Sequence, residues 1–245
     1  MGARSISDRR KAVEKGAGAL ALALFCVLGI ALLQRQGWLD GLNFGLMGAA
    51  GRARDSGVGV MITWIMQFAS AVGGTAGRFA LLAACCVALW RMAWARALWL
   101  LCAVVGGTLL NLAAKQIFAA PRPDLLPHLD LVHSYSFPSG HAAGNMIFFG
   151  ALAILGGRRS VYVLMATAIA LIGISRVWLG VHWPSDVLAG WIEGLGWLAL
   201  CRVWLPAGGG QEESADRVMM RGHSVGGDEA MDPEAVEHRS SGNAQ

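Results

Sequence analysis

Between residues 115 and 186 the sequence sets three polar clusters among apolar runs. Lys115 is followed, after six intervening residues, by Arg122-Pro123; Pro138-Ser139-Gly140-His141 comes next; Ser175-Arg176, then His182 and Asp186, complete the series. They supply three cations, two imidazoles, the Ser139 hydroxyl and a carboxylate. That inventory suits an oxyanion with several negative charges, attacked by one histidine while another protonates the leaving group. A phosphate monoester carries close to two charges, and stripping its water is costly unless charge-assisted donors replace it. Lys115 offers a point charge, and Arg122 and Arg176 offer planar forks that grip two oxygens each. Ser139 and Gly140 fall at an expected helix start, where unpaired amides and the helix dipole favour an anion.

His182 and Asp186 are four residues apart. Pro184, suited to a first helical turn, places the histidine before a helix and the aspartate inside it. The carboxylate can then hold one ring nitrogen and leave the other free to attack phosphorus. His141, heading another helix, can face the same pocket and protonate the departing oxygen, since an imidazole titrates at about 6.5.

The elements that must position these groups are membrane helices. Hydrophobic residues make up 55% of the chain, gathered in long uninterrupted blocks rather than spaced as in a soluble core. Six spans are expected, at 17–33, 79–90 (starting near Thr75), 97–114, 142–155, 161–174 and 187–205. Residues 60–72, apolar but short and carrying Gln67 and Ser70, are expected to form an interfacial or partly inserted helix. Residues 37–59 are expected outside the hydrocarbon. The fold class is therefore all-α, a six-transmembrane helix bundle with a short extracytoplasmic interfacial helix. It is flanked by a basic amino-terminal segment (1–16) and an acidic, disordered tail (206–245). The first apolar run is long for a signal peptide and lacks a small-residue cleavage site, so an uncleaved span is expected.

The tail holds eight acids and three arginines, leaving 17 of the 20 basic and 8 of the 16 acidic residues before it. Arginines near 91–96, 158–159 and 202, with the basic amino terminus, fall on one side of the six-span layout, which should be cytoplasmic. The three clusters then lie on the outer face. No soluble basic surface interleaved with aromatics is present, which argues against nucleic acid as a partner. The five cysteines sit inside apolar blocks without metal-ligand spacing.

The three clusters together resemble the tripartite signature of the type 2 phosphatidic acid phosphatase superfamily. That group includes lipid phosphate phosphatases, glucose-6-phosphatase and vanadium haloperoxidases. The resemblance covers 115–186 in motif and roughly 17–205 in layout, and every signature position is filled. It implies that Lys115, Arg122, Ser139, Gly140 and Arg176 bind phosphate. It also implies that His182 forms a phosphohistidine, Asp186 orients it, and His141 is the acid, with no metal or other cofactor. The expected substrate is a lipid phosphate met at the extracytoplasmic face of a bacterial inner membrane: a polyprenyl diphosphate, phosphatidylglycerol phosphate or phosphatidic acid. A lipid phosphotransferase using the same intermediate, and a non-catalytic phosphate-lipid-binding protein, are the alternatives.

Other polar residues have simpler expectations. His128 and His133 read as solvated loop residues, Asn111 as a helix–helix hydrogen bond, and Glu193 as an acceptor for a neighbouring helix or an intramembrane functional acid. Trp38, Trp178, Trp183 and Trp204 read as interface anchors, with Trp178 and Trp183 also placed to line a lipid entrance.

Overall fold

The computed structural model describes residues 6–206, so the acidic tail, apart from Pro206, lies outside the described residues. Within them the chain is helical, with no strand. Helix α1 spans Ile6–Arg35, α2 Asp40–Arg54, α3 Gly59–Gly73, α4 Thr75–Phe118, α5 Gly140–Gly156, α6 Arg159–Trp178 and α7 Pro184–Cys201, which runs into a 3₁₀ turn at Arg202–Trp204. Four of these are long and apolar enough to cross a membrane: α1, α4, α6, and α7 with its 3₁₀ turn. Helices α2 and α3, bent by 119° where they meet, would make a fifth if counted as one span. Phe25, Leu109 and Val163 point outward from α1, α4 and α6, as lipid-solvated helices require.

Helix α4 runs for 44 residues but is not straight, because Ala93 leaves helical geometry (φ −159°, ψ 59°). Cys86 Sγ donates to the Ala97 carbonyl, 3.6 Å away and eleven residues on. In a straight helix those residues would stand about 16 Å apart. The chain therefore doubles back at Ala93, and Leu82 on the first limb packs with Trp99, Leu100 and Ala103 on the second. The basic stretch at 91–96, expected as a turn between two spans, is this reversal.

The segment 37–59 holds a helix that its composition conceals. Four glycines in α2 (Gly41, Gly45, Gly48, Gly51) interrupt its periodicity, while Asn43 and Met47, one turn apart, are buried. The region 60–72 is helical as α3. Both helices pack at the end of the bundle where the polar clusters gather. Arg54 donates to the carbonyls of Trp178 and Pro127 (3.3 and 3.1 Å), and the Ser185 amide donates to Asn43 Oδ1 (3.2 Å). Trp178 is buried and donates to Thr63 Oγ1 at 3.0 Å, so it braces α3 against α6 and does not line a lipid entrance. Trp183 is half-buried, edge-on to Phe44. Trp38 and Trp204 are exposed, as anchors would be.

Helix α7 is the centre of the bundle, and glycines let its neighbours approach. A Cβ on Gly190 would stand 2.5 Å from the Ser139 carbonyl, and one on Gly196 would stand 2.3 Å from Ala23 Cβ. The first of these contacts holds the head of α5, and with it the Ser139–His141 cluster, against the helix that carries Asp186.

Candidate active site

Helices α4 and α6 end, and α5 and α7 begin, at the same end of the bundle. That antiparallel arrangement brings together groups up to 71 positions apart in sequence (115 to 186). Lys115, Arg122, Gly140, His141, Arg176 and His182 line one cavity of about 220 Å³. Asp186 and the Ser139 side chain do not line it. Asp186 lies behind His182, whereas Ser139 is wholly buried with its hydroxyl unpaired. The Ser139 amide donates to the Asp186 carbonyl at 3.0 Å, tying the second cluster to the third.

His182 sits in the short loop before α7, 2% exposed. Its Nδ1 faces Asp186 Oδ2 at 3.3 Å and Ser136 Oγ at 3.2 Å. Ser136 donates its own proton to Asp186 Oδ2 at 2.5 Å, and the Trp183 amide donates to the same oxygen at 3.0 Å. Gln34 donates to the other carboxylate oxygen at 3.2 Å. With its proton given to Asp186, Ser136 can only accept from His182, and an ionised carboxylate is purely an acceptor. Nδ1 therefore carries the ring proton and Nε2 carries the lone pair. Arg122 Nη1 donates to that Nε2 at 3.3 Å, on the cavity side.

Arg122 is fixed by its loop. Its Nε donates to the Ser134 carbonyl (2.9 Å) and its Nη1 to the Val181 carbonyl (2.7 Å). The loop leaves α4 through Ala119 in left-handed geometry (φ 45°), and Pro121 and Pro123 keep it extended. Burial, then the Arg176 charge, lowers Arg122 to about 10, so it stays cationic at neutral pH. Lys115 Nζ donates to the carbonyls of Tyr135 and Ser136, which pins the Ser136 loop under His182.

Arg176 is fully buried. It pairs with Asp130 at 2.5 Å and also donates to Ser70 of α3, while its Nε has no partner. Burial alone would raise the Asp130 carboxyl, but the hydrogen bond and charge of Arg176, with the Ser70 hydroxyl, hold it below the usual range. Asn111, one turn before Lys115, donates to Glu193 Oε2 at 2.8 Å, so the two form the interhelical bond expected of each. His128 and His133 are exposed loop residues, with His133 at the cavity rim. A larger cavity, about 330 Å³, is lined by Gln34 and Trp183 but by neither His182 nor Asp186.

Four contributors escape a sequence reading: Gln34, Arg78, Asp130 and Ser136. Only Arg78 carries a signal, a charge at the edge of an apolar run. Among the described residues, no group of three or more His, Cys, Asp or Glu could hold a metal ion.

Burial, then the charges of Arg122, Arg176 and Lys115, holds His182 well below the ordinary histidine range. A lowered pKa keeps the neutral, nucleophilic form dominant as pH falls through about 6.5, where a free imidazole would half-protonate. Nitrogen-15 NMR of histidine-labelled protein in detergent should show His182 still neutral, with the proton on Nδ1, at pH 6. Half-protonation at pH 6.5 or above would contradict this environment.

Comparison with known proteins adds three findings. A family model described as the PAP2 superfamily matches residues 96–209. Phosphatidylglycerophosphatase B of Bacillus subtilis (strain 168) is 38% identical over 39% of this chain and 52% of its own length; an undecaprenyl-diphosphatase of Sulfolobus acidocaldarius is 38% identical over 31% and 35%. The chain thus spans about half or less of the length of these curated relatives. A crystal structure of the B. subtilis transmembrane PAP2-type phosphatidylglycerolphosphate phosphatase superposes with a TM-score of 0.64 at 25% identity, covering 75% of this chain and 93% of that one.

Proposed function

We propose that this protein, whose residues 96–209 match the PAP2 superfamily model, is an integral membrane phosphatase that releases phosphate from a lipid phosphate. The observation that carries the reading is the environment of His182. Nδ1 is held by Asp186 and Ser136, and Nε2 faces a cavity lined by Lys115, Arg122 and Arg176.

The chemistry follows from that arrangement. The phosphoryl oxygens bind to Arg122, Arg176 and Lys115, with the first-turn amides at Gly140, and Asp130 yields Arg176 to the substrate. His182 Nε2 attacks phosphorus, the bond to the lipid oxygen breaks, and that oxygen takes the His141 proton with the departing electron pair. Asp186 and Ser136 stabilise the cationic ring that results. Water, deprotonated by His141, then cleaves the phosphohistidine and frees inorganic phosphate. The fixed cations take the electrostatic role that a metal clamp would fill, so turnover should survive chelators.

The proposed layout has six spans, counting the two limbs of α4 separately and α5 as a short one. Helices α2 and α3 then form an interfacial element over the site, and both termini lie in the cytoplasm. The cavity would open on the outer, periplasmic face of a bacterial inner membrane, at headgroup level, so that a lipid presents its phosphate without leaving the bilayer. Membrane partitioning supplies most of the selectivity, at roughly 0.8 kcal/mol per buried methylene.

The test is phosphate release by purified protein in one detergent, from a polyprenyl diphosphate, phosphatidic acid, phosphatidylglycerol phosphate and glucose 6-phosphate. Lipid substrates should be used at far lower concentration; equal or better efficiency with glucose 6-phosphate would overturn the lipid reading. A cysteine at Asp124, in the exposed loop, should react with an impermeant thiol reagent in intact cells after native thiols are masked. Reaction only in opened cells would reverse the topology.

A further inference from the structure

Among the described residues, Arg78 is the cavity-lining cation that the proposed mechanism does not use. It lies in the first turn of α4, 4% exposed, and lines the cavity with His141, Arg176 and His182. Its one hydrogen bond among the described residues is long, from Nη1 to the Gly73 carbonyl at 3.4 Å, and its Nε is buried without a partner. No carboxylate pairs with it there, in contrast to Arg176 and Asp130. The Phe79 ring, 5.7 Å from Cζ, is at the outer limit of a cation–π contact. A guanidinium this buried and this poorly partnered is costly unless an anion completes its shell.

The position of Arg78 says which part of a substrate it would meet. Its guanidinium lies flat on Gly144, where a Cβ would come within 2.3 Å of Nη1 and 2.4 Å of Cζ. Gly144 follows His141 by three residues, so the two share a face of α5. From the other side, a Cβ on Gly74 would be 3.5 Å from His141 Nε2, and Gly74 accepts the Arg78 amide at 2.8 Å. Arg78 is therefore adjacent to the proposed general acid, whereas Arg122 touches the nucleophile.

We infer that Arg78 is a specificity-determining residue that binds a second phosphate on the leaving group, which makes a lipid diphosphate the preferred substrate. The inference rests on the phosphatase reading above. His182 Nε2 bonds to the terminal phosphorus, and the bond from that phosphorus to the bridging oxygen breaks. The bridging oxygen leaves with the electron pair and takes the His141 proton. The lipid monophosphate so formed is held at Arg78 until it departs. The bridging oxygen at His141 is one bond from the phosphorus that Arg78 grips, which matches the adjacency of the two side chains. A glycerol spacer, as in phosphatidylglycerol phosphate, would carry the second phosphorus several bonds further away.

The test compares kcat/KM for farnesyl diphosphate and farnesyl monophosphate in the same micelles, for wild type, Arg78→Gln and Arg78→Lys. Losing charge-assisted hydrogen bonds should cost the diphosphate about 10- to 100-fold more than the monophosphate in Arg78→Gln, with partial recovery in Arg78→Lys. Equal losses on both substrates, or no loss, would overturn the inference while leaving the phosphatase reading intact. Wild type releasing phosphate from neither would overturn both. If Arg78→Gln does not fold, wild type alone decides: pyrophosphate should inhibit at least about tenfold more tightly than orthophosphate, and equal inhibition would refute the assignment.

Discussion

Replacing His182 by alanine should reduce turnover by at least about 10,000-fold, because removing a covalent nucleophile eliminates the reaction path rather than weakening one contact. The size of the effect follows from what remains. Lys115, Arg122 and Arg176 would still gather the phosphate, so binding of lipid phosphate should persist while its hydrolysis stops. The variant should also fold, since His182 occupies a loop and its removal leaves Asp186 with Ser136, Gln34 and the Trp183 amide as donors. Protein that elutes and melts like wild type but does not turn over is the expected result. Near-wild-type turnover would end the covalent account.

The second large effect concerns His141, and its size should depend on the substrate. General acid catalysis contributes about 100- to 10,000-fold when the leaving oxygen is a strong base. A lipid alkoxide is such a group and p-nitrophenolate is not. His141→Ala should therefore slow phosphoenzyme formation from phosphatidic acid by about 1,000-fold and from p-nitrophenyl phosphate by about tenfold or less. Pre-steady-state rates on both esters supply the comparison. The same loss on both would mean that His141 serves binding or folding, and that proton donation lies elsewhere. Removing His141 should also slow hydrolysis of the phosphoenzyme, since by microscopic reversibility the same imidazole activates water.

How much of this was readable in the sequence depends on how local each signal is. The three clusters were legible because each is a short run at a helix end. Pro123, Gly140 and Pro184 mark where helices stop and start, and the charges between them have no role in hydrocarbon. The His182–Asp186 contact was legible because four residues across a helix start set two side chains face to face. The groups that complete the site are different. Ser136, Asp130 and Gln34 reach it only through the path of the connection from 119 to 139 and the packing of α1 on α7, which no local pattern encodes. Arg78 had a weak signal, but it stands at a span boundary, where an arginine is ordinary. Helix α2 was hidden by its glycines, whereas the reversal at Ala93 was legible as the basic stretch 91–96 between two apolar runs.

Trapping the phosphoenzyme tests the central claim most directly. Purified protein is mixed with phosphorus-32-labelled lipid phosphate, quenched within milliseconds and digested, and the labelled peptide is identified by mass spectrometry. The account predicts a label that is stable to alkali and released by mild acid, located on the peptide containing His182 and absent from His182→Ala. Rapid turnover with no label on His182 at any time would contradict it.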